Sequence, residues 1–240
     1  MPTTNRRTRS ATRPIPVELR QPFYLASWDL AWSGHFYRHV PRGANAFLQR
    51  FGSGSMIARR HGLTVLWLTS LAGRFNELAN LKLHAIDGRC VELQRSKRGA
   101  KQTIQVEQEL IDCTAAWHRR LVQLGADPSE NSYRERKWCE AMNQSSLLLP
   151  SVTGKPMNVN VFNRDVAGPV GELFGLRLSS HCFRDTACQE AMRLVRRDAS
   201  LDVRAVQALM GHRSVRTTEI YLRKQDEQQL CLPLSSFTNE

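Results

Sequence analysis

Four side chains near the C-terminus have the types and spacing that phosphate chemistry needs. His181 and Arg184 are three residues apart, and Tyr221 follows His212 by nine residues. If the first pair lies on a helix, positions i and i+3 share a face, so both groups can point at one anion. A guanidinium neutralises phosphate oxygens, an imidazole donates a hydrogen bond or moves a proton, and a hydroxyl can attack. The alternative is that these side chains only pair with one another in a core.

The charge of the chain points to an anionic partner. Lysine and arginine exceed the acidic residues, giving a formal net charge of +12 over 240 residues. Nucleic acid is the commonest partner of so basic a protein, which favours DNA binding. A basic RNA-binding or ribosome-associated protein is the alternative.

Cysteine spacing and the lack of long apolar runs limit other classes. The six cysteines form no C-x-x-C pair and no Cys/His cluster with zinc spacing, which predicts reduced thiols and no metal site. The N-terminus has no apolar signal region, and no run approaches the roughly twenty apolar residues that a membrane span needs. We therefore expect a cytoplasmic protein with no membrane partner.

The N-terminal residues 1–20 predict a disordered basic arm. Pro14 and Pro16 disfavour a helix there. Such an arm can follow a DNA backbone or enter a minor groove, and a solvated tail with no fixed role is the alternative. The candidate DNA-binding residues of the arm are Arg6, Arg7, Arg9 and Arg13. Apolar and aromatic residues that follow predict a short helical extension over residues 21–55, with short helices at about 22–39 and at 44–51.

A buried helix and the residues after it place a second arginine. Apolar residues lie nearly all round the second half of Met56–Ser70, which predicts a buried helix. Gly73 ends it, and Arg74 starts the next helix beside backbone N–H groups, an arrangement that favours anions. Glu77, three residues on, can hold the Arg74 guanidinium in place. The alternative is an ordinary Arg–Glu pair on a helix surface.

A β-hairpin follows. Alternating residues at 90–94 and 102–106 predict two antiparallel strands joined by a basic turn with a glycine. The turn carries the cations Lys97, Arg98 and Lys101. A hairpin tip can enter a DNA groove, although three cations are also easily solvated.

Helical periodicity dominates the rest of the chain. It predicts helices at about 107–124, 158–174, 179–196 and 201–210, with Asn158 as an N-cap and Gly125 and Gly211 as ends. The polar stretch 127–146 predicts an exposed insertion with room for one short helix. The whole pattern predicts an α+β fold, mainly helical, with a small antiparallel β-hairpin or sheet at about 83–106.

With these residues in place, the chain resembles the tyrosine recombinases, the phage integrase family. That family has an arginine in a Gly-Arg-x-x-Glu-Leu setting, a lysine on a β-hairpin, His-x-x-Arg, and Leu-x-Gly-His followed nine residues later by tyrosine. The matching positions are 73–78, Lys97, His181 with Arg184, 209–212, and Tyr221. The motifs occur in the right order over about residues 56–224, although Asp185 stands where the family often has a basic residue.

The resemblance implies a domain organisation. Residues 56–224 would be the catalytic domain, and residues 225–240, with an apolar patch at 230–237, a tail that can dock on a neighbouring protomer. A full core-binding domain does not fit before residue 56. The chain therefore resembles the short members of the family, close to a catalytic domain alone, as in fimbrial-switch invertases.

The resemblance also implies a role for each residue. Tyr221 would attack a DNA phosphodiester and form a 3′-phosphotyrosyl link, while Arg74 and Arg184 hold the non-bridging oxygens. Lys97 would protonate the leaving 5′ oxygen, His181 would accept the tyrosine proton, and His212 would donate to a phosphate oxygen. Neither a metal ion nor another cofactor, nor ATP, is implied.

The implied partners are double-stranded DNA and further copies of this chain, as a tetramer on DNA. Accessory DNA-bending proteins and a place on the bacterial nucleoid are compatible with the resemblance. The reaction class stays open between integration, excision, inversion and resolution. Two other readings remain: a non-cleaving DNA-binding accessory protein on the same fold, and a DNA-relaxing enzyme like the type IB topoisomerases.

Overall fold

Helix α3 (Met56–Ser70) is the centre of the fold because its side chains are buried around most of its circumference. The computed structural model describes residues 13–95, 101–126, 133–197, 202–212, 214 and 218. Ser55 caps α3, with its side chain accepting a hydrogen bond from the Ala58 backbone at 3.1 Å. The fully buried Trp67 donates to Thr114 Oγ1 at 2.9 Å. The predicted buried helix at 56–70 is confirmed.

Along the chain, the other described helices precede and follow a small sheet. Helices α1 (Val17–Ser33) and α2 (Ala44–Phe51) come first, and α4 (Phe75–Ala79) follows α3. After the sheet come α5 (Gln108–Ala126), α6 (Tyr133–Asn143), α7 (Val159–Phe162), α8 (Gly168–Glu172), α9 (Ser180–Arg197) and α10 (Val203–Met210). The mainly helical α+β prediction is confirmed, and α2 has the predicted bounds.

The sheet has three antiparallel strands in the order β1 (Ile86–Asp87), β2 (Cys90–Gln94) and β3 (Lys101–Gln105). Val91 pairs with Ile104, and Leu93 pairs with Gln102. Val91, Leu93 and Ile104 are buried, so one face of the hairpin packs on the helices. The predicted hairpin is confirmed, and β1 adds a short third strand.

The N-terminal arm ends earlier than its composition predicts. Ile15 is fully buried, and its backbone N–H donates to Thr186 Oγ1 of α9 at 2.9 Å. Arg20 lies in α1, is buried, and forms an ion pair with Glu190 of α9. The two prolines at 14 and 16 do not prevent this helix because they precede its first turn. The predicted loose arm is therefore wrong over residues 15–20.

Two further boundaries differ from the sequence prediction. Helix α5 continues through Gly125 to Ala126. The helix predicted at 158–174 begins at its Asn158 cap but contains a π-helical turn at Asn163–Ala167. The Asn163 side chain accepts a hydrogen bond from the Ser180 backbone at 3.0 Å, so this turn holds the first residue of α9. The predicted insertion at 127–146 contains α6, which packs on α5 through buried residues that include Cys139 and Met142.

The described residues contain neither a membrane-spanning helix nor a metal-binding cluster. Among the described helices, none has the length and apolar character to cross a membrane. No cluster of three or more histidine, cysteine or acidic side chains suited to a metal ion occurs in the described ranges. The described cysteines are free thiols.

Gly62 sets how closely α1 crosses α3. A Cβ at this position would lie 2.5 Å from the Ala31 backbone nitrogen and closer still to the Ser27 carbonyl oxygen. We predict that Gly62→Ala lowers the free energy of unfolding by about 1–3 kcal/mol, because the backbone of α1 must move. Urea denaturation measures this quantity.

Gly125→Ala is the matched control. Around Gly125 a Cβ would meet nothing closer than 3.8 Å, so this change should leave the free energy of unfolding equal or raise it by up to about 1 kcal/mol. Equal stability of the Gly62→Ala variant and the wild type would contradict the close packing of α1 on α3.

Candidate active site

Arg74 is held at the start of α4 by Glu77. The Glu77 carboxylate accepts from the Arg74 backbone N–H at 2.9 Å and from Arg74 Nη1 at 3.0 Å. Glu77 is 5% exposed, whereas the Arg74 side chain is 32% exposed. A buried carboxylate thus orients a guanidinium that still reaches the surface. The predicted Arg74–Glu77 contact is present, and it is more than a surface pair.

Arg184 joins two chain segments from a buried position on α9. Its Nη1 donates to the Ala72 carbonyl and its Nη2 to the Met210 carbonyl, both at 2.5 Å. Ala72 has φ +46°, in the left-handed region that residues with a Cβ rarely adopt. This conformation follows the end of α3 and precedes Arg74. The guanidinium of Arg184 therefore fixes the approach to α4 and the end of α10 together.

His212 follows the C-terminal end of α10, where Gly211 has φ +59°. Its Nδ1 lies 2.9 Å from Thr218 Oγ1, and its carbonyl accepts from Gln207 Nε2 at 2.9 Å. Burial lowers the pKa of His212 to about 4, and the positive charges of Arg184, Arg74 and Arg95 add to the effect. At neutral pH the imidazole is therefore neutral, and three guanidiniums act on it.

His181 has a different environment from Arg184, three residues later on α9. The imidazole is exposed, and it makes no side-chain hydrogen bond to the part of the chain that the structure describes. The preceding Ser180 is fixed by Asn163. The predicted helical spacing of His181 and Arg184 is confirmed, with one group open to solvent and the other buried.

Arg95 belongs to this cluster and was missed by sequence reasoning. It directly follows β2, is 4% exposed, and donates from Nη1 to Glu77 Oε2 at 2.9 Å. The signal was present in the strand alternation, because Arg95 continues the inward face of Val91 and Leu93. An arginine on the apolar face of a strand needs a buried partner, and Glu77 is that partner.

The remaining predicted residues are distributed as follows. Arg13 is exposed, and Lys101 is exposed with its Nζ 2.7 Å from Glu92. The other predicted site residues lie outside the described residues: Arg6, Arg7, Arg9, Lys97, Arg98 and Tyr221.

The chemistry of the described cluster suits an anion. Arg74, Arg95 and Arg184 bring three guanidiniums to the segment that carries His212, with Glu77 as the buried carboxylate among them. Guanidiniums give fixed, directional donors for the oxygens of a phosphate or carboxylate. Their positive potential also disfavours a metal cation at this place.

Comparison with known proteins identifies the family. A sequence profile described as the phage integrase family matches residues 44–228, which includes α2 and so begins before the predicted catalytic domain. A comparison with curated proteins found no match.

Two solved structures show the fold. The site-specific recombinase XerH, bound to palindromic difH substrate in a post-cleavage complex, gives a TM-score of 0.58 at 16% sequence identity, covering 90% of this chain and 51% of that one. XerH bound to difH substrate in a pre-cleavage complex gives a TM-score of 0.51 at 17% identity, covering 80% and 53%. This chain spans about half the length of XerH. Since the family profile also covers well over half of the residues, the chain belongs to the phage integrase family, the tyrosine recombinases.

Proposed function

We propose that this chain is a tyrosine-type site-specific DNA recombinase that cuts and rejoins DNA through a 3′-phosphotyrosyl intermediate. The observation that carries the proposal is the convergence of Arg74, Arg184 and His212 at the end of α10, ahead of Tyr221. Family membership supports the assignment of Tyr221 as the nucleophile. Whether the reaction integrates, excises, inverts or resolves DNA depends on the sites that it joins.

In the proposed cleavage step, the Tyr221 oxygen forms a bond to phosphorus while the bond from phosphorus to the 5′ oxygen breaks. The tyrosine proton goes to His181, whose exposed imidazole can meet a substrate. Lys97 gives a proton to the 5′ oxygen. Because one phosphodiester replaces another, the 5′ hydroxyl of a second strand can reverse the step without ATP.

The arginines stabilise the charge that develops in this step. Arg74 reaches the surface from a buried ion pair, and Arg184 is fixed by two backbone carbonyls, so both are preorganised. His212 enters the reaction as a neutral imidazole. In the tautomer whose Nδ1 accepts from Thr218 Oγ1, the Nε2–H is the donor to a phosphate oxygen.

Grip on DNA comes from the basic surface. The net charge of +12 and the exposed side chains of Arg13 and Lys101 support contacts to the phosphate backbone, with Arg6, Arg7, Arg9 and Arg98 as further candidates. Ile15 anchors the start of the described chain on α9, the helix that carries His181 and Arg184. Two duplexes exchange strands in recombination, so four copies of this chain would act together on DNA.

Tyr221→Phe removes only the hydroxyl and should abolish the covalent protein–DNA adduct. Nicked suicide duplexes that tile the DNA flanking the gene are the substrate, and denaturing gels with peptide mapping are the measurement. The affinity for the same duplexes should stay within about threefold, because phosphate contacts by other residues supply it.

Tyr37→Phe is the matched control, since Tyr37 is 68% exposed and lies outside the cluster. It should form adduct at the wild-type rate. An adduct that persists in Tyr221→Phe, or that maps to another tyrosine, contradicts the assignment. DNA relaxation without joining of two sites would indicate a topoisomerase instead.

Arg184→Lys and Arg184→Ala should each lower the rate of adduct formation by about 10²–10³-fold and abolish recombination, while much of the DNA binding remains. The alanine variant also leaves the Ala72 and Met210 carbonyls without this donor, so it should melt at a lower temperature. The lysine variant keeps the charge and separates catalysis from folding. Near wild-type recombination in either variant would show that Arg184 is wrongly assigned.

Deletion of residues 226–240 should lower recombination more than DNA binding, because the apolar residues at 230–237 are proposed to dock on a neighbouring protomer. A two-site recombination assay and a gel-shift titration on one site give the two quantities. Equal loss of both activities, or loss of neither, would contradict a role between protomers.

A further inference from the structure

The Arg95 side chain forms hydrogen bonds with three different parts of the fold. It directly follows β2, and its side chain is 4% exposed. Nη1 donates to Glu77 Oε2 at 2.9 Å, Nε donates to Gln102 Oε1 at 2.7 Å, and Nη2 donates to the Leu209 carbonyl. One guanidinium therefore connects α4, β3 and the end of α10.

The end of α10 has a backbone cap, in which the Gly211 and His212 N–H groups donate to the Ala208 and Gln207 carbonyls, and side chains from elsewhere add to it. The last carbonyls of a helix have no partner within it. Here Gln102 Nε2 donates to the Ala208 carbonyl at 2.7 Å, Arg95 to the next carbonyl, and Arg184 to the one after that. Three consecutive carbonyls are thus bound by the hairpin and α9, and the two cations also favour the negative end of the helix dipole.

Gly211 completes this contact. A Cβ at Gly211 would lie 3.0 Å from Arg95 Nε and 3.1 Å from its Cδ. The glycine therefore packs directly on the stem of Arg95, and His212 is the next residue. Any displacement of Arg95 changes the support under the segment that carries His212.

Burying the Arg95 guanidinium costs desolvation free energy, and an apolar side chain at this position would avoid that cost. Arg95 continues the inward face of Val91 and Leu93, where an apolar side chain would close the hairpin without any ion pair. Glu77 serves as the counter-ion of Arg95 and also holds Arg74. The arrangement makes a continuous chain of contacts from Arg74 through Glu77 and Arg95 to Gly211.

We propose that Arg95 is a positioning residue that fixes the base of the hairpin to the end of α10 and so places His212 relative to Arg74. The inference rests on the proposed function, because its consequence is the alignment of the recombinase site.

The first test is structural and needs no DNA. Nitrogen-15 NMR of labelled histidines follows the protonation of His212 in the wild type, in Arg95→Lys and in Arg95→Ala. In the wild type His212 should protonate near pH 4. In Arg95→Lys it should titrate closer to its ordinary value of 6.5, because a single ammonium cannot bind three acceptors and the end of α10 moves toward solvent.

The lysine variant separates position from charge. Arg95 is one of the cations that lower the pKa of His212, so Arg95→Ala raises that pKa through loss of charge even where the end of α10 does not move. Arg95→Lys keeps the charge, so a rise in this variant reports displacement. Arg204→Ala, an exposed change on the same helix, is the matched control and should leave His212 unchanged.

The second test is the rate of adduct formation on the suicide duplexes, with DNA affinity and melting temperature measured alongside. Arg95→Lys should react about 10²-fold more slowly, the cost of a misplaced catalytic group, with an affinity within about threefold of the wild type. An unchanged His212 titration or a wild-type rate in a folded Arg95→Lys variant overturns the proposal. Loss of folding in Arg95→Lys overturns it too, because Arg95 would then serve stability alone.

Failure of the proposed function has a different signature. If the wild type forms no adduct on any duplex, the recombinase assignment falls. The His212 titration then still decides whether Arg95 places the end of α10.

Discussion

The buried carboxylate of Glu77 is the interaction on which the site depends. The positive charges of Arg74, Arg95 and Arg184 all act on His212, and like charges in a poorly solvated site repel one another. Glu77 forms ion pairs with Arg74 and Arg95, while Arg184 relies on backbone carbonyls. Without Glu77, two of the three cations would lose their counter-ion, and the positive cluster could not be held ready for an anion.

The surrounding helices and the hairpin position the side chains around the Glu77 carboxylate. The left-handed Ala72 lies between α3 and α4, and the hairpin places Arg95 beside Glu77. Helix α9 carries Arg184, and contacts away from the site fix the position of this helix. Asn163 binds the Ser180 backbone, and Arg20 of α1 pairs with Glu190. The N-terminal extension is therefore part of the same framework as the site.

Local pattern predicted the elements better than it predicted their long-range partners. Helix α3 and the hairpin follow from periodicity, and the Arg74–Glu77 contact follows from a spacing of three residues. Arg20 lies at the end of the predicted arm, and no local pattern shows its ion pair because the partner Glu190 is 170 residues away. The strand alternation places Arg95 on the inward face of the hairpin, but only the folded chain brings its partners Glu77 and Leu209 to it. The π-helical turn at 163–167 also has no pattern of its own.

The central claim is that Arg74, Arg184 and His212 surround the position of a DNA phosphate. The most direct measurement is a crystal structure of the chain bound to a duplex that carries its recombination site. The account predicts one phosphodiester within about 3 Å of all three side chains, at hydrogen-bonding distance. A complex in which the DNA backbone passes elsewhere, with the three side chains bound only to Glu77, Thr218 and backbone carbonyls, would contradict it.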